Sequence, residues 1–155
     1  MEASTETAIR REIAIAASPE TVWEFLVDPD KATRWMGQSA SLDPRPGGEY
    51  HVQVLSGNVA RGEFVEVDPP RRLVQTWRML MDPDMQAEGF TTLTHEIEEI
   101  PGGVTKLTVI HELENAPKLA HMLAGGLESE GAGGGWAWVL SDLKSVLESG
   151  RHMAG

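Results

Sequence analysis

Two consecutive prolines set between two strand-like segments constrain this chain more than any other feature. In the stretch from Gly62 to Trp77, Asp68-Pro69-Pro70 can be neither helix interior nor central strand. Each proline fixes φ and removes a backbone donor, and Pro70 holds Pro69 extended, so the chain must leave one strand here and enter another. Before the turn Val65 and Val67 alternate with charged neighbours; after it Leu73, Gln75 and Trp77 oppose Val74 and Thr76. A period of two on both sides predicts a pair of half-buried strands.

The rest of the chain is punctuated in the same way. Glu12 to Ala16 alternates as a first strand, with Ile9 ahead of it. Ser18 then offers an N-cap and Pro19 a first helical position, where the missing donor costs nothing. Val22, Trp23, Phe25 and Leu26 form the apolar face of that helix; Asp28-Pro29 ends it, and Asp30 to Trp35 forms a second short one closed by Gly37, with Ala32, Trp35 and Met36 inward. Strands are expected at about Ala40 to Leu42, Glu49 to Leu55, Val59 to Val67, Leu73 to Met81, Thr91 to Ile100 and Thr105 to Leu113. Pro46-Gly47-Gly48 makes a corner, and Ser56-Gly57-Asn58 and Pro101-Gly102-Gly103 are hairpin signals. Asp82 to Gly89 reads as a polar surface loop. A glycine-dense connector between Leu123 and Trp136 can let a lid open; it lacks the lysine and the spacing of a phosphate loop. Trp136, Val139, Leu140, Leu143, Val146 and Leu147 then recur at helical spacing up to Ser149, and Gly150 is the stop.

Composition narrows the function. A chain of 155 residues with no composition shift suits one domain over residues 9–149, with flexible tails at 1–8 and 150–155. It has no cysteine, which removes disulfides, thiolate nucleophiles and cysteine-ligated zinc. The net charge of −11, from 24 acidic and 13 scattered basic residues, argues against nucleic acid and anionic membrane as partners. No run approaches the roughly 20 apolar residues of a membrane span, and the acidic N-terminus is not a secretory signal, so a cytoplasmic location is expected. Five tryptophans and seven methionines supply bulky, adaptable apolar surface.

Four motifs carry a family resemblance. They are Ile15 to Trp23 with Trp35 following, the Pro46-Gly47-Gly48 corner, Gly62 to Trp77, and Thr105 to His111 leading to Gly135-Trp136. In their order and spacing, which span about residues 9–149, the chain resembles the START-like, birch-pollen-allergen-like (SRPBCC) superfamily. Within it the chain is similar to the C-terminal domain of the activator of heat-shock protein 90 ATPase. The resemblance implies an α+β helix-grip fold: a curved antiparallel sheet of about seven strands wrapped around a long C-terminal helix, with two short helices after the first strand. It also implies a hydrophobic cavity between sheet and helix, where many members bind lipids, hormones or polyketides and some are cyclases or other enzymes. The chaperone activator carries a further N-terminal domain; nothing before Ile9 supplies one, which argues against full co-chaperone activity.

His95 and His111 are the sharpest local signal. Leu93, His95 and Ile97 share one strand face, as do Leu107, Val109 and His111, so a hairpin closed at Pro101-Gly102-Gly103 sets the histidines opposite each other or one pair out of register. Both then face inward, where they can orient a carbonyl or hydroxyl, exchange protons, or simply be satisfied by polar neighbours. The family is usually aromatic at the position of His95. A metal would need a third ligand that no spacing supplies: His51 alternates outward, His121 lies in the glycine-dense segment and His152 in the tail, so neither metal nor cofactor is expected. Glu96, Glu98 and Glu99 read as exposed strand residues, and Glu66 and Asp68 at the turn resemble family structural positions where a carboxylate accepts backbone donors.

The expected cavity lining is Trp35, Tyr50, Val52, Trp77, Met79, Leu93, His95, Val109, His111, Met122, Trp136 and Leu140. The favoured reading is a domain, non-catalytic or of undetermined activity, that binds a small hydrophobic molecule there, with His95, His111 and Tyr50 orienting its polar group. Two alternatives remain open: a module contacting a chaperone or other protein, and an enzyme using His95 or His111 as acid or base. Monomer and homodimer are both compatible with the sequence.

Overall fold

The computed structural model describes residues 8–35, 39–53, 59–79, 83–113, 116 and 135–149, without the side chains at 79, 84, 85, 135–139, 142 and 149. Strand β1 (Ala8–Ile15) is followed by helix α1 (Pro19–Val27) and helix α2 (Pro29–Ala32). Their boundaries follow from capping. The Ser18 hydroxyl accepts from the Thr21 amide at 3.2 Å, and Pro19 opens α1, which buries Val22, Trp23, Phe25 and Leu26. Asp28 ends α1 through its N–H on Glu24 O, while its carboxylate caps α2 by accepting from the amides of Asp30 and Lys31. Beyond α2 the Trp35 indole N–H donates to Phe25 O at 2.7 Å, tying the pair of helices together in the core.

Strands β2 (Ser39–Leu42), β3 (Glu49–Gln53), β4 (Val59–Asp68), β5 (Arg72–Met79), β6 (Thr91–Ile100) and β7 (Val104–Glu112) complete one antiparallel sheet. Its spatial order is β1-β7-β6-β5-β4-β3-β2, so the chain runs as a meander whose last strand closes against the first. The sheet is curved, and the fold is α+β. At the 46–48 corner, Gly47 takes φ of +84° and its N–H reaches Phe64 O at 2.8 Å, while Phe64 N–H bonds Gly48 O at 2.9 Å. The proline turn joins β4 to β5 with a cis Pro69-Pro70 bond.

Helix α4 (Gly135–Ser149) buries Leu140, Leu143 and Val146 in the same core as the inner face of the sheet. Its outward side is fastened to the end of β1: Lys144 Nζ donates to Ala14 O at 2.5 Å and to Glu148 at 2.7 Å. Glu148 also accepts the Ala16 amide at 2.8 Å. The Lys144 bond first, then the Ala16 bond, hold the Glu148 carboxyl below the usual carboxylate range.

Several sequence expectations need correction. Asp82 to Gly89 is not a plain loop, because Pro83–Glu88 forms helix α3: proline is tolerated at its start, Gln86-Ala87-Glu88 are adequate helix formers, and Gly89 at φ +83° stops it. Arg78 Nη2 donates to Gln86 O, satisfying a carbonyl of its last turn. Val65 does not alternate inward with Val67. A β-bulge between Phe64 and Glu66 leaves Val65 53% exposed and puts Phe64 wholly inside. Glu66 and Asp68 are held by arginine side chains, Arg72 at 3.3 Å and Arg71 at 2.9 Å, and Glu96 also pairs with Arg72 at 2.7 Å. β1 starts at Ala8, earlier than the alternation at Glu12 suggested, because β7 offers a partner for every residue from Ala8 to Ile15. His51, expected in solvent, is half-buried. The tail at 1–7, Met36, the 56–58 turn, the glycine-dense connector, His121, Met122 and His152 lie outside the described residues.

Gly62 marks the tightest approach between strands. A Cβ there would fall 1.8 Å from Thr76 O and 3.3 Å from Trp77 Cα. Both are backbone atoms, so only a shift of β5 relieves the clash. Gly62→Ala should therefore destabilise the protein by about 1–3 kcal/mol, read as a lowered urea midpoint; an unchanged midpoint would mean that β4 and β5 are not held this closely.

Candidate functional site

The inner face of the sheet is apolar over most of its area, and the polar groups on it are neighbours. Tyr50 lies opposite Gly62, Gln75 opposite Phe64 and Leu93, and Trp77 opposite Thr91. Leu73 faces His95, Leu93 faces His111, and His95 faces Val109. His95 and His111 thus stand one pair out of register, diagonal neighbours on the same buried face.

One hydrogen-bonded row crosses four strands. The Trp77 indole N–H bonds Tyr50. Thr91 Oγ1 donates to Trp77 O at 2.7 Å and lies 2.6 Å from His111 Nε2. A threonine hydroxyl has a single proton, and here the carbonyl takes it. His111 must then carry its proton on Nε2 and donate to Thr91, which leaves Nδ1 with the lone pair. The Trp77 ring meets His111 edge-to-face at 5.2 Å and 88°, and Tyr50 meets Phe64 likewise at 6.0 Å and 84°.

Burial keeps every group in this row uncharged. Tyr50 is pushed up to about 12 by desolvation, against the smaller opposing effect of the Trp77 bond. His95 is pulled down to about 4 by burial, opposed by its bond to the Leu73 backbone. His111 falls to about 3, first by burial and then by the neighbouring His95. No three histidine, aspartate or glutamate side chains converge as a metal cluster among the described residues.

Among the expected lining residues, Tyr50, Val52, Trp77, Leu93, His95, Val109, His111 and Leu140 share the buried core, and Trp35 joins it from the end of α2. Met79 and Trp136 belong to β5 and α4, but their side chains, like the whole of Met122, lie outside the described residues. Two residues were missed by the sequence reading. Thr91 fixes the His111 tautomer, and Gln75 is 1% exposed with Nε2 lacking a hydrogen-bond partner among the described residues. The signal for Gln75 was present: it alternates with Leu73 and Trp77, so it had to face inward with them.

Residues 16–148 match the family described as Activator of Hsp90 ATPase homolog 1-like protein. An uncharacterised protein of Schizosaccharomyces pombe is 28% identical over 97 residues, which are 56% of this chain and 28% of the yeast protein. Among solved structures, DynU16, a putative protein in the dynemicin biosynthetic locus, matches with a TM-score of 0.74 at 21% identity over 96% of this chain and 49% of its own. The Aha1 dimer from Colwellia psychrerythraea matches with a TM-score of 0.70 at 20% identity, over 93% and 98%. These two structures show the common fold. This chain spans about half the length of DynU16 and little more than a quarter of the yeast protein.

The buried histidines make stability depend on pH with a definite sign. Unfolded, both imidazoles take up protons near pH 6.5; folded, they resist until about 4 and about 3. The unfolded state therefore binds the extra protons, so this contribution is complete above pH 6.5 and is lost as the pH falls towards 4. Between pH 7 and 4.5 the pair should remove roughly 3–5 kcal/mol of stability. Urea titrations at both pH values check this: His95→Gln/His111→Gln should lose markedly less than the parent, and an equal loss would mean that the two imidazoles are not buried neutral.

Proposed function

The chain belongs to the Activator of Hsp90 ATPase homolog 1-like family, and we propose that it binds a small hydrophobic ligand in a cavity on the inner face of the sheet, beneath a long C-terminal helix. One observation carries this reading: Tyr50, Gln75, Thr91, His95 and His111 are all buried on one face among mostly apolar side chains. A face serving only as core gains nothing from them. Each loses its water on folding, and a group left unsatisfied costs about 1–3 kcal/mol, whereas leucine or phenylalanine would pack without that cost. Apolar walls with a few convergent polar groups are the composition of a ligand site. Val52, Leu93, Val109 and Leu140 supply wall, Trp77 an aromatic surface, and Trp35 closes the α2 side; Met79, Met122 and Trp136 are assigned to the same lining from the sequence.

The imidazoles act in this reading as hydrogen-bonding groups. With values near 4 and 3 they are not imidazolium at neutral pH and are weak bases, which weighs against acid–base catalysis there. The family's description favours a second reading, contact with an Hsp90-type chaperone, and the outer edge of β2 is where a homodimer like the Colwellia Aha1 dimer would have a strand to pair. That reading predicts binding of purified Hsp90 that is indifferent to substitutions on the inner face.

Native mass spectrometry of freshly purified protein, followed by organic extraction, tests the preferred reading. A small apolar molecule should travel with the parent protein and be retained at least tenfold less by a folded His95→Leu/His111→Leu variant. Undiminished retention by that variant would remove the histidines, and with them this site.

A further inference from the structure

Gln75 poses a question that the shared fold does not answer. Its Nε2 is a donor on the inner face, 1% exposed, with no hydrogen-bond partner among the described residues. Donors in such a position are costly to leave unmet, and native interiors seldom do so without a reason. The strands flanking Gln75 offer it Phe64 on one side and Leu93 on the other, neither with an acceptor in its side chain. Neither these neighbours nor any other described residue meets the donor, and a ligand on the inner face of the sheet would supply the acceptor.

Charge sets the second condition. The buried polar residues are glutamine, threonine and histidine, with Tyr50 beside them, and no aspartate, glutamate, lysine or arginine is buried among the described residues. Arg11 on the edge strand β1 faces the same way as its partner Val109, but it is exposed and its Nη1 donates to Arg10 O at 3.1 Å. The cross-strand and within-strand ion pairs Arg10–Glu12, Arg72 with Glu66 and Glu96, and Lys106–Glu98 stand on its other face. An ionised ligand entering here would leave its water and meet no buried opposite charge among the described residues, which costs far more than burying a neutral oxygen.

We propose that the ligand is an uncharged apolar molecule carrying a hydrogen-bond acceptor of the ketone, ester or quinone kind, read by the Gln75 amide, and that carboxylate ligands such as fatty acids are rejected. This rests on the binding reading above. Tyr50 is consistent with the same selection: its oxygen accepts from the Trp77 indole and it keeps its phenolic proton throughout the neutral range, so it brings no charge to the face. A hydrocarbon of equal shape would satisfy the walls but leave the amide unmet, so it should bind less tightly than the ketone.

Three probes on one skeleton separate these conditions: 2-acetylnaphthalene, 2-naphthoate and 2-ethylnaphthalene, titrated at pH 7.5 by ligand-observed NMR with the full chain. The ketone should bind at least tenfold more tightly than the carboxylate and several-fold more tightly than the hydrocarbon. In Gln75→Leu the advantage of ketone over hydrocarbon should vanish while the hydrocarbon still binds, and the variant should unfold at no lower temperature than the parent, since it removes an unmet polar group. Naphthoate binding as tightly as the ketone in the parent protein, or a ketone advantage that survives Gln75→Leu, would overturn the proposal and leave the binding site standing. Failure of all three probes to bind the parent up to their solubility would overturn the site itself, and the proposal with it.

Discussion

Polar side chains on the buried face of a sheet cost least when they are neutral and bonded to one another, and a row of such bonds organises the centre of the molecule. Thr91 has one hydroxyl proton and gives it to Trp77 O, so it can only accept from His111, whose tautomer is thereby decided. The Trp77 indole in turn is held by Tyr50. Side chains on β3, β5, β6 and β7 are thus oriented by a single chain of donors and acceptors. Gly62 is what allows it: the β4 residue between Tyr50 and Trp77 has no side chain, and the backbone of β5 lies where one would be. Substituting any member of the row changes what the others can bond, so their effects should not be additive.

Most of the architecture was legible because its signals are local. The Asp68-Pro69-Pro70 turn, the Ser18-Pro19 cap and the period-two alternation of Leu73, Gln75 and Trp77 each follow from one or two residues and their backbone preferences. The features that were not legible are those settled by distant partners. Nothing in the sequence around Val65 announces a bulge, since it depends on where Phe64 and Glu66 register against Gln75 and Val74. Helix α3 is short and polar, and an arginine from β5 meets its last turn. For the site, alternation sufficed to put His95 and His111 on the inner face, but their diagonal register came only with the 101–103 turn. Gln75 was overlooked for a different reason: its inward direction was readable, and its lack of a partner was not, because satisfaction is a property of neighbours brought together by the fold.

The edges of the sheet show the opposite regime. At the end of β1 the free backbone groups of Ala14 and Ala16 are taken by Lys144 and Glu148 of α4, an i, i+4 pair that also bonds to itself. These are exposed contacts, and as an isolated surface ion pair they would contribute little. Their value is geometric, since they hold the charged side of α4 against the sheet margin while Leu140, Leu143 and Val146 enter the core. Fold and register are therefore secured at the rim by groups that water can reach, leaving the interior polar groups free of that duty.

This separation of charge bears directly on chemistry. A histidine serving as a base at neutral pH needs its cation stabilised, by a carboxylate or by water. Here no carboxylate is buried among the described residues, and several of the sheet's are paired with cations: Glu66 and Glu96 share Arg72, Glu98 pairs with Lys106, and Asp68 holds Arg71 at the turn. His95 instead has an imidazole diagonally beside it, so protonating one opposes protonating the other. The same desolvation that makes these imidazoles poor proton carriers strengthens each neutral hydrogen bond they make. The physical character of the interior is accordingly that of a neutral hydrogen-bonding surface, and converting it to an acid–base site would require a charge buried beside the imidazoles, which none of the described residues supplies.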